Sequence, residues 1–243
     1  MSIMWNMWHG CHKYSEGCAN CYVYREDAVF ERDSKSVFKT KSFSLPIEKD
    51  RKGNYKIPSG TMIMTCLTSD FLLEEADEWR PEIWKMIKER SDCSFFFITK
   101  RIKRFMQCIP EDWCDGYDNV AVGLTCENQK RADERLEIFK TLPIKHKILI
   151  CAPLLEYIDL SKYLDSSIEE VSIGGESGKN ARVCNYEWVT KIREDCQRAE
   201  VPFTYHQTGS KLLKDGKLYY IKRSLQKSQA RKANIDTFTT KKY

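Results

Sequence analysis

No stretch of this 243-residue sequence approaches the ~20 consecutive apolar residues of a membrane span, and the opening MSIMWNMWHGC lacks the layout of a secretory leader. There is no internal repeat and no low-complexity tract. A disulfide framework is missing too, since the cysteines number eleven and form no even set of short spacings. These absences argue against a membrane protein, a repeat array or a disulfide-stapled domain. They lead us to expect a cytoplasmic protein whose thiols stay reduced.

Net charge is nearly absent from most of the chain. Residues 1–221 carry 33 basic and 34 acidic side chains, so the overall charge of +5 comes from residues 222–243, with seven Lys or Arg and one Asp. The positive excess is therefore a C-terminal tail and not a basic groove. A tail of this composition is expected to be loosely ordered, and it is a candidate for nucleic-acid contact through counterion release at phosphates. At 42% hydrophobic and 31% charged residues the full sequence suits a globular protein, and residues 1–221 read as one domain.

Short apolar runs recur along it: SIMWNMW from 2, TMIMTC from 61, SFFFIT from 94, NVAVGLT from 119, KILICA from 147, VSIGG from 171 and PFTYHQ from 202. Helical patterns separate most of them, at Trp79–Glu89, Asn128–Thr141 and Tyr186–Glu200. In the last, Trp188, Ile192 and Cys196 share one face. Strands buried on both faces and alternating with helices predict a parallel α/β sheet. Six to seven such units suit a partial or open (β/α) barrel. Residues 34–60, polar and Lys-rich, are expected to form an excursion or a flap facing substrate.

Polar groups follow nearly every strand. They are Thr68, Ser69 and Asp70; Thr99, Lys100 and Arg101; Thr125, Glu127 and Asn128; Gly174, Gly175, Glu176 and Ser177; and His206 with Gln207. The carboxyl ends of parallel strands share one face, where barrel enzymes build their sites. Single clusters also suit helix capping, which is the plainer reading of Asp70 and Glu127. Lys100 and Arg101 suit a phosphate or carboxylate clamp or the solvated start of a helix, and His206 reads as a core or rim histidine.

Eight cysteines are scattered, many in apolar runs, and read as small buried hydrophobes. The other three are not. Cys11, Cys18 and Cys21 form C-x6-C-x2-C directly after the first strand. Thiolates at such spacing converge on one metal centre, and their softness suits zinc or an iron–sulfur cluster. Closed zinc needs a fourth ligand, for which His9 and His12 are available. Three thiolates alone suit a [4Fe–4S] cluster with one open iron.

The stretch Trp5–Tyr22 resembles the opening of the phage Gp37/Gp68 family, a domain of unknown function related to radical S-adenosylmethionine (SAM) enzymes. The likeness continues through Thr68-Ser69-Asp70-Phe71, Ile98-Thr99-Lys100-Arg101, Gly123 to Gln129, Pro153-Leu154-Leu155 and Ile173 to Gly178, ending near Gly209. The resemblance implies an incomplete (β/α) barrel, a [4Fe–4S] cluster on Cys11, Cys18 and Cys21, and SAM on the fourth iron. It also implies that Gly174, Gly175 and Glu176, with Ser177 beside them, meet the SAM amino group. Asp70 and Glu127 become candidates for the SAM ribose or for proton handling. Lys100, Arg101, Asn128, His206 and Gln207 become candidates for catalysis or substrate binding. Relatives are often accompanied by a three-Cys-motif protein, which is an implied partner. The cysteine spacing here is six then two, against three then two in radical SAM enzymes, and Gly-Gly-Glu follows a late strand instead of an early one. The expected function is a SAM-dependent radical enzyme acting on an unknown, nucleic-acid-derived substrate; the alternative is a non-catalytic zinc-binding interaction module.

Overall fold

The computed structural model describes residues 1–237. Seven strands form its main sheet: β1 (Ser2–Trp5), β2 (Met62–Thr65), β3 (Ser94–Thr99), β4 (Val120–Thr125), β5 (His146–Cys151), β6 (Glu170–Gly174) and β7 (Phe203–Gln207). They lie in that order, each parallel to the next. A doubly wound sheet reverses its order at a switch point. This one never does, and it curls into a half-barrel. Six helices are described: α1 (Tyr22–Val29), α2 (Arg80–Glu89), α3 (Phe105–Cys108), α4 (Gln129–Thr141), α5 (Tyr186–Arg198) and α6 (Arg223–Lys232). Among the described residues no helix is long and apolar enough to cross a membrane.

Strand alternation divides the core. On β3, Phe95 packs edge-on against Trp5 and Phe97 stacks on Phe71, both in the outer layer. Phe96 points the other way and joins Ala121, Ile148 and Ile150 in a small inner cluster, with Met62, Met64, Ile98 and Ala152 against it. A period of two thus sends one set of side chains to the helices and the other into the concave face. On α5, Ile192 and Cys196 are fully buried as the spacing predicts, together with Val189, while Trp188 sits at the margin.

Residues 34–60 are an excursion but contribute nothing to either cavity described below. Phe43, Pro46 and Ile57 are buried, the Trp5 indole N–H donates to Ser42 O at 2.9 Å, and the Arg90 guanidinium donates to the Pro46 and Ile57 carbonyls. Its few apolar residues therefore cover the outer layer beside β1, which corrects the substrate-flap expectation. The basic tail departs from loose order as well. Its α6 buries Gln226 and Ala230, and Thr237 exchanges two backbone hydrogen bonds with Phe203 while Asp236 accepts from Tyr205 N at 2.8 Å. The free edge of β7 supplies the reason, because unpaired strand N–H and C=O groups seek partners. Residues 238–243 lie outside the described residues. Of the scattered cysteines all are buried except Cys114, which is exposed.

One glycine carries the join between fold and site. Gly10 has φ +95°, and a Cβ there would lie 2.2 Å from Ser36 O. The turn it allows brings Cys11 N to Ser34 O at 2.8 Å and lets Gly10 O accept from the Ser69 hydroxyl. Gly10→Ala meets both the clash and the left-handed backbone. We expect it to cost about 2–4 kcal/mol, read as a lowered urea midpoint at unchanged m-value.

Candidate functional site

The cysteine segment begins where Trp8–His9 pairs antiparallel with Phe38–Lys39 and turns at Gly10. A short 3-10 turn, Glu16–Cys18, follows, with Cys18 N donating to Ser15 O at 2.9 Å. Cys21 then caps the start of α1, and the backbone N–H groups of Val23 and Tyr24 act on its sulfur. All three thiols line one cavity of about 390 Å³ in the mouth of the half-barrel. Its floor is made by inward positions near the strand ends, including Met64, Ile98, Thr125, Ile150, Ser172 and His206. Asp70, Lys100 and Arg101 also line it, as does a fourth thiol, Cys66, just beyond β2.

Three buried ion-pair systems tie the cysteine loop to separate strand ends. Glu127, fully buried after β4, pairs with Arg135 at 2.8 Å and accepts from the Ser15 hydroxyl and from Gly17 N at 3.3 Å. Arg101, after β3, donates to His12 O at 3.0 Å, lies 3.9 Å from Asp70 and stacks over the Tyr14 ring at 4.8 Å. Glu176, after β6, is held by Arg182 through Nε at 3.0 Å and backbone N at 2.8 Å, and accepts from the Asn20 amide at 2.9 Å. The Tyr24 hydroxyl adds a bond to Cys11 O. The loop is thus fixed before any ligand arrives.

The electrostatics follow from burial. The Cys11 thiol is pushed up to about 12 by burial, then by the nearby Asp70 charge. Burial raises Cys21 as well, against the pull of the Val23 and Tyr24 amides, and raises Cys66 well above its ordinary value. Cys11, Cys21 and Cys66 are thus uncharged at neutral pH, and a metal centre binding to any of them has to displace its proton. Burial works to raise Glu127, but Arg135 and the Ser15 hydroxyl bring it below the ordinary carboxylate value. Glu176 is lowered likewise by Arg182 and Asn20 against its own burial. Burial, with Lys227 nearby, lowers His206 to about 4, so its ring is neutral at pH 7 and pairs with the Ser172 hydroxyl at 3.1 Å.

A second cavity of about 690 Å³ opens beside the first, with Cys21, Tyr22, Lys100, Ala152 and His206 in both walls. Gly175, Glu176, Ser177 and Gln207 line it. The glycines do not make room for a ligand: a Cβ on Gly174 would lie 2.4 Å from His206, and one on Gly175 2.3 Å from Thr208 O. They let β6 and β7 approach each other. Gln207 donates to Gly175 O at 2.7 Å, and Ser177 Oγ accepts from Arg25 at 3.1 Å. Asn128 lines neither cavity; it caps α4 by accepting from Arg131 N at 2.9 Å. Glu127 lines neither cavity as well. His9 is engaged by Asp27 at 2.9 Å and His12 by Glu75, and neither lines the cysteine cavity.

Sequence reasoning missed Ser15, Asn20, Arg135 and Arg182, which fix the loop, and it took Cys66 for a plain core thiol. The only signal for the two arginines was their short distance in sequence after Glu127 and Glu176. Cys66 had a clearer one, since it ends a strand on the face that carries the other polar clusters.

Two outcomes test this electrostatic arrangement. Glu127→Gln keeps the shape of the side chain but leaves Arg135 as an uncompensated buried charge. It should cost about 3–5 kcal/mol in denaturant unfolding, with part of the loss recovered in the Glu127→Gln/Arg135→Met double variant. For His206 the folded value of about 4 lies below the ordinary 6.5. As pH falls through this window the unfolded chain takes up a proton that the folded chain refuses, so stability drops, with the full loss reached below pH 4. The difference between wild type and His206→Gln should therefore shift against wild type by up to about 3 kcal/mol between pH 7 and 4.

Searches of curated proteins and of solved structures find no match to this chain. A family model described as protein of unknown function (DUF5131) matches residues 1–240, which takes in the cysteine loop, all seven strand ends and α6. By that match, the chain belongs to the DUF5131 family.

Proposed function

We propose that this protein carries a [4Fe–4S] cluster on Cys11, Cys18 and Cys21, binds SAM beside it, and acts as a radical SAM-type enzyme, as its resemblance to the phage Gp37/Gp68 proteins implies. The observation that carries this reading is the convergence of three half-buried thiols from one loop on a single cavity at the carboxyl ends of a parallel half-barrel. The donor set is soft sulfur, and neither nearby histidine lines the cysteine cavity. Among the described residues no group of three or more His, Cys, Asp or Glu stands ready to hold a metal ion as placed, so the three thiols have to draw together around any metal centre they take up.

Bound together, cluster and SAM supply one-electron cleavage of a carbon–sulfur bond and removal of hydrogen from a substrate. The chain's own residues have simpler tasks. Cys21 sits at the N-cap position of α1, where the Val23 and Tyr24 amides favour its thiolate against burial. Lys100 makes no side-chain hydrogen bond or ion pair among the described residues and faces both cavities, where it suits a ligand carboxylate. Asp70 is committed to Thr99 at 2.7 Å and to Lys100 N at 3.0 Å, and so positions the β3 end. Glu176 spends both oxygens on Arg182 and Asn20, and supports the loop through Asn20 instead of waiting for an ammonium group.

Cys66 provides the sharpest test. Anaerobic reconstitution should give about four irons per chain and a visible absorption band that SAM perturbs. Cys18→Ala should abolish both, whereas Cys66→Ala should keep both. One zinc per chain with no colour would overturn the reading. Iron that is lost in Cys66→Ala and indifferent to SAM would overturn it too, by showing a cluster closed by four protein thiolates.

A further inference from the structure

We propose that the second cavity is a binding site for an organic phosphate of nucleotide size, held by Lys100, Arg223 and Lys227. As a statement about the substrate this rests on the proposed function; as a statement about anion binding it does not.

The charge arrangement carries the inference. Lys100 reaches the cavity from the end of β3, and Arg223 and Lys227 reach it from α6. Among the described residues the Lys100 and Lys227 ammonium groups have no hydrogen bond and no ion pair, and Arg223 has only an exposed contact of 3.4 Å with Glu26. One carboxylate lines the same walls, Glu176, and Arg182 and Asn20 already occupy it. Three cations therefore face one neutralised acid, two of them from the segment 222–243 that carries the chain's positive excess. Such a surplus calls for a multiply charged anion, and the guanidinium fork matches phosphate oxygens.

Size argues for more than a bare anion. The cavity holds about 690 Å³, within the range of small-molecule sites, and it shares Cys21, Tyr22, Lys100 and His206 with the cysteine cavity as a common wall. A phosphate between Arg223 and Lys227 leaves space for an uncharged body lying past Lys100 toward the thiols. His206, neutral at pH 7, offers that body a ring without adding charge.

The test is calorimetric titration of the anaerobically purified full chain with uridine 5′-monophosphate, with uridine as uncharged control and iron measured on each sample. The monophosphate should bind at least about tenfold more tightly than uridine, and Lys227→Gln and Arg223→Gln should each weaken it about tenfold, as loss of a charge-assisted bond implies. Arg231→Gln, on the same helix but outside the cavity, should leave the affinity unchanged. Equal binding of uridine, no effect of Lys227→Gln, or an equal effect of Arg231→Gln would each overturn the site. Protein that binds the monophosphate through Lys227 but holds no iron would instead refute the cluster and leave the anion site standing. Iron-loaded protein indifferent to the monophosphate would do the reverse.

Discussion

The mouth of the half-barrel depends on where Glu127 puts its charge. A carboxylate with no exposure to solvent is costly to bury, and it persists because Arg135, the Ser15 hydroxyl and Gly17 N all meet it. Two of those partners belong to the long segment between Cys11 and Cys18. A loop of that length has many conformations open to it, and Glu127 selects one of them from across the barrel. The desolvation penalty thus becomes a positional constraint on the thiols, because the loop cannot move without uncovering a buried ion.

Arg101 on His12 and Glu176 on Asn20 repeat the device from β3 and β6. The loop is held by ends of three strands, and those strands are held by the outer core, where Trp5, Phe71, Phe95 and Phe97 pack ring against ring. The energetics therefore run from aromatic packing to strand position, from strand position to buried charge, and from buried charge to sulfur geometry. Burial raises Cys11 and Cys21 along the same route, so the scaffold that gathers the thiols also holds these two protonated until a cation competes for them.

All seven strands were legible as short apolar or β-branched runs; β4 is buried along its whole length, whereas β1, β2 and β7 keep half-exposed positions and were marked by the runs alone. The partial barrel followed from the polar clusters after those runs, and the sequential strand order agrees with it. Long-range partners were not legible. Nothing local in Glu127 tells that its oxygens turn away from the cavity toward Ser15 and Arg135, and nothing in Asn128 separates a capping amide from a ligand contact. Gly174 and Gly175 misled for a related reason: space without a Cβ looks the same in sequence whether a ligand or His206 and Thr208 fills it. The tail was misjudged because its charge outweighed the few contacts that fix it. Only the structure reveals that β7 needs Asp236 and Thr237 at its edge.

That edge has a consequence for what the barrel admits. β1 and β7 end the sheet without pairing to each other, and the gap between them is bordered by Met4 on one side and α6 on the other. With Phe203 N and O and Tyr205 N engaged by Asp236 and Thr237, the start of β7's outer edge is capped, and the sheet ends there without running on toward β1. On that side the wall of the second cavity is therefore made by the side chains of α6 and Met4, so that whatever enters there meets side chains and not an open strand.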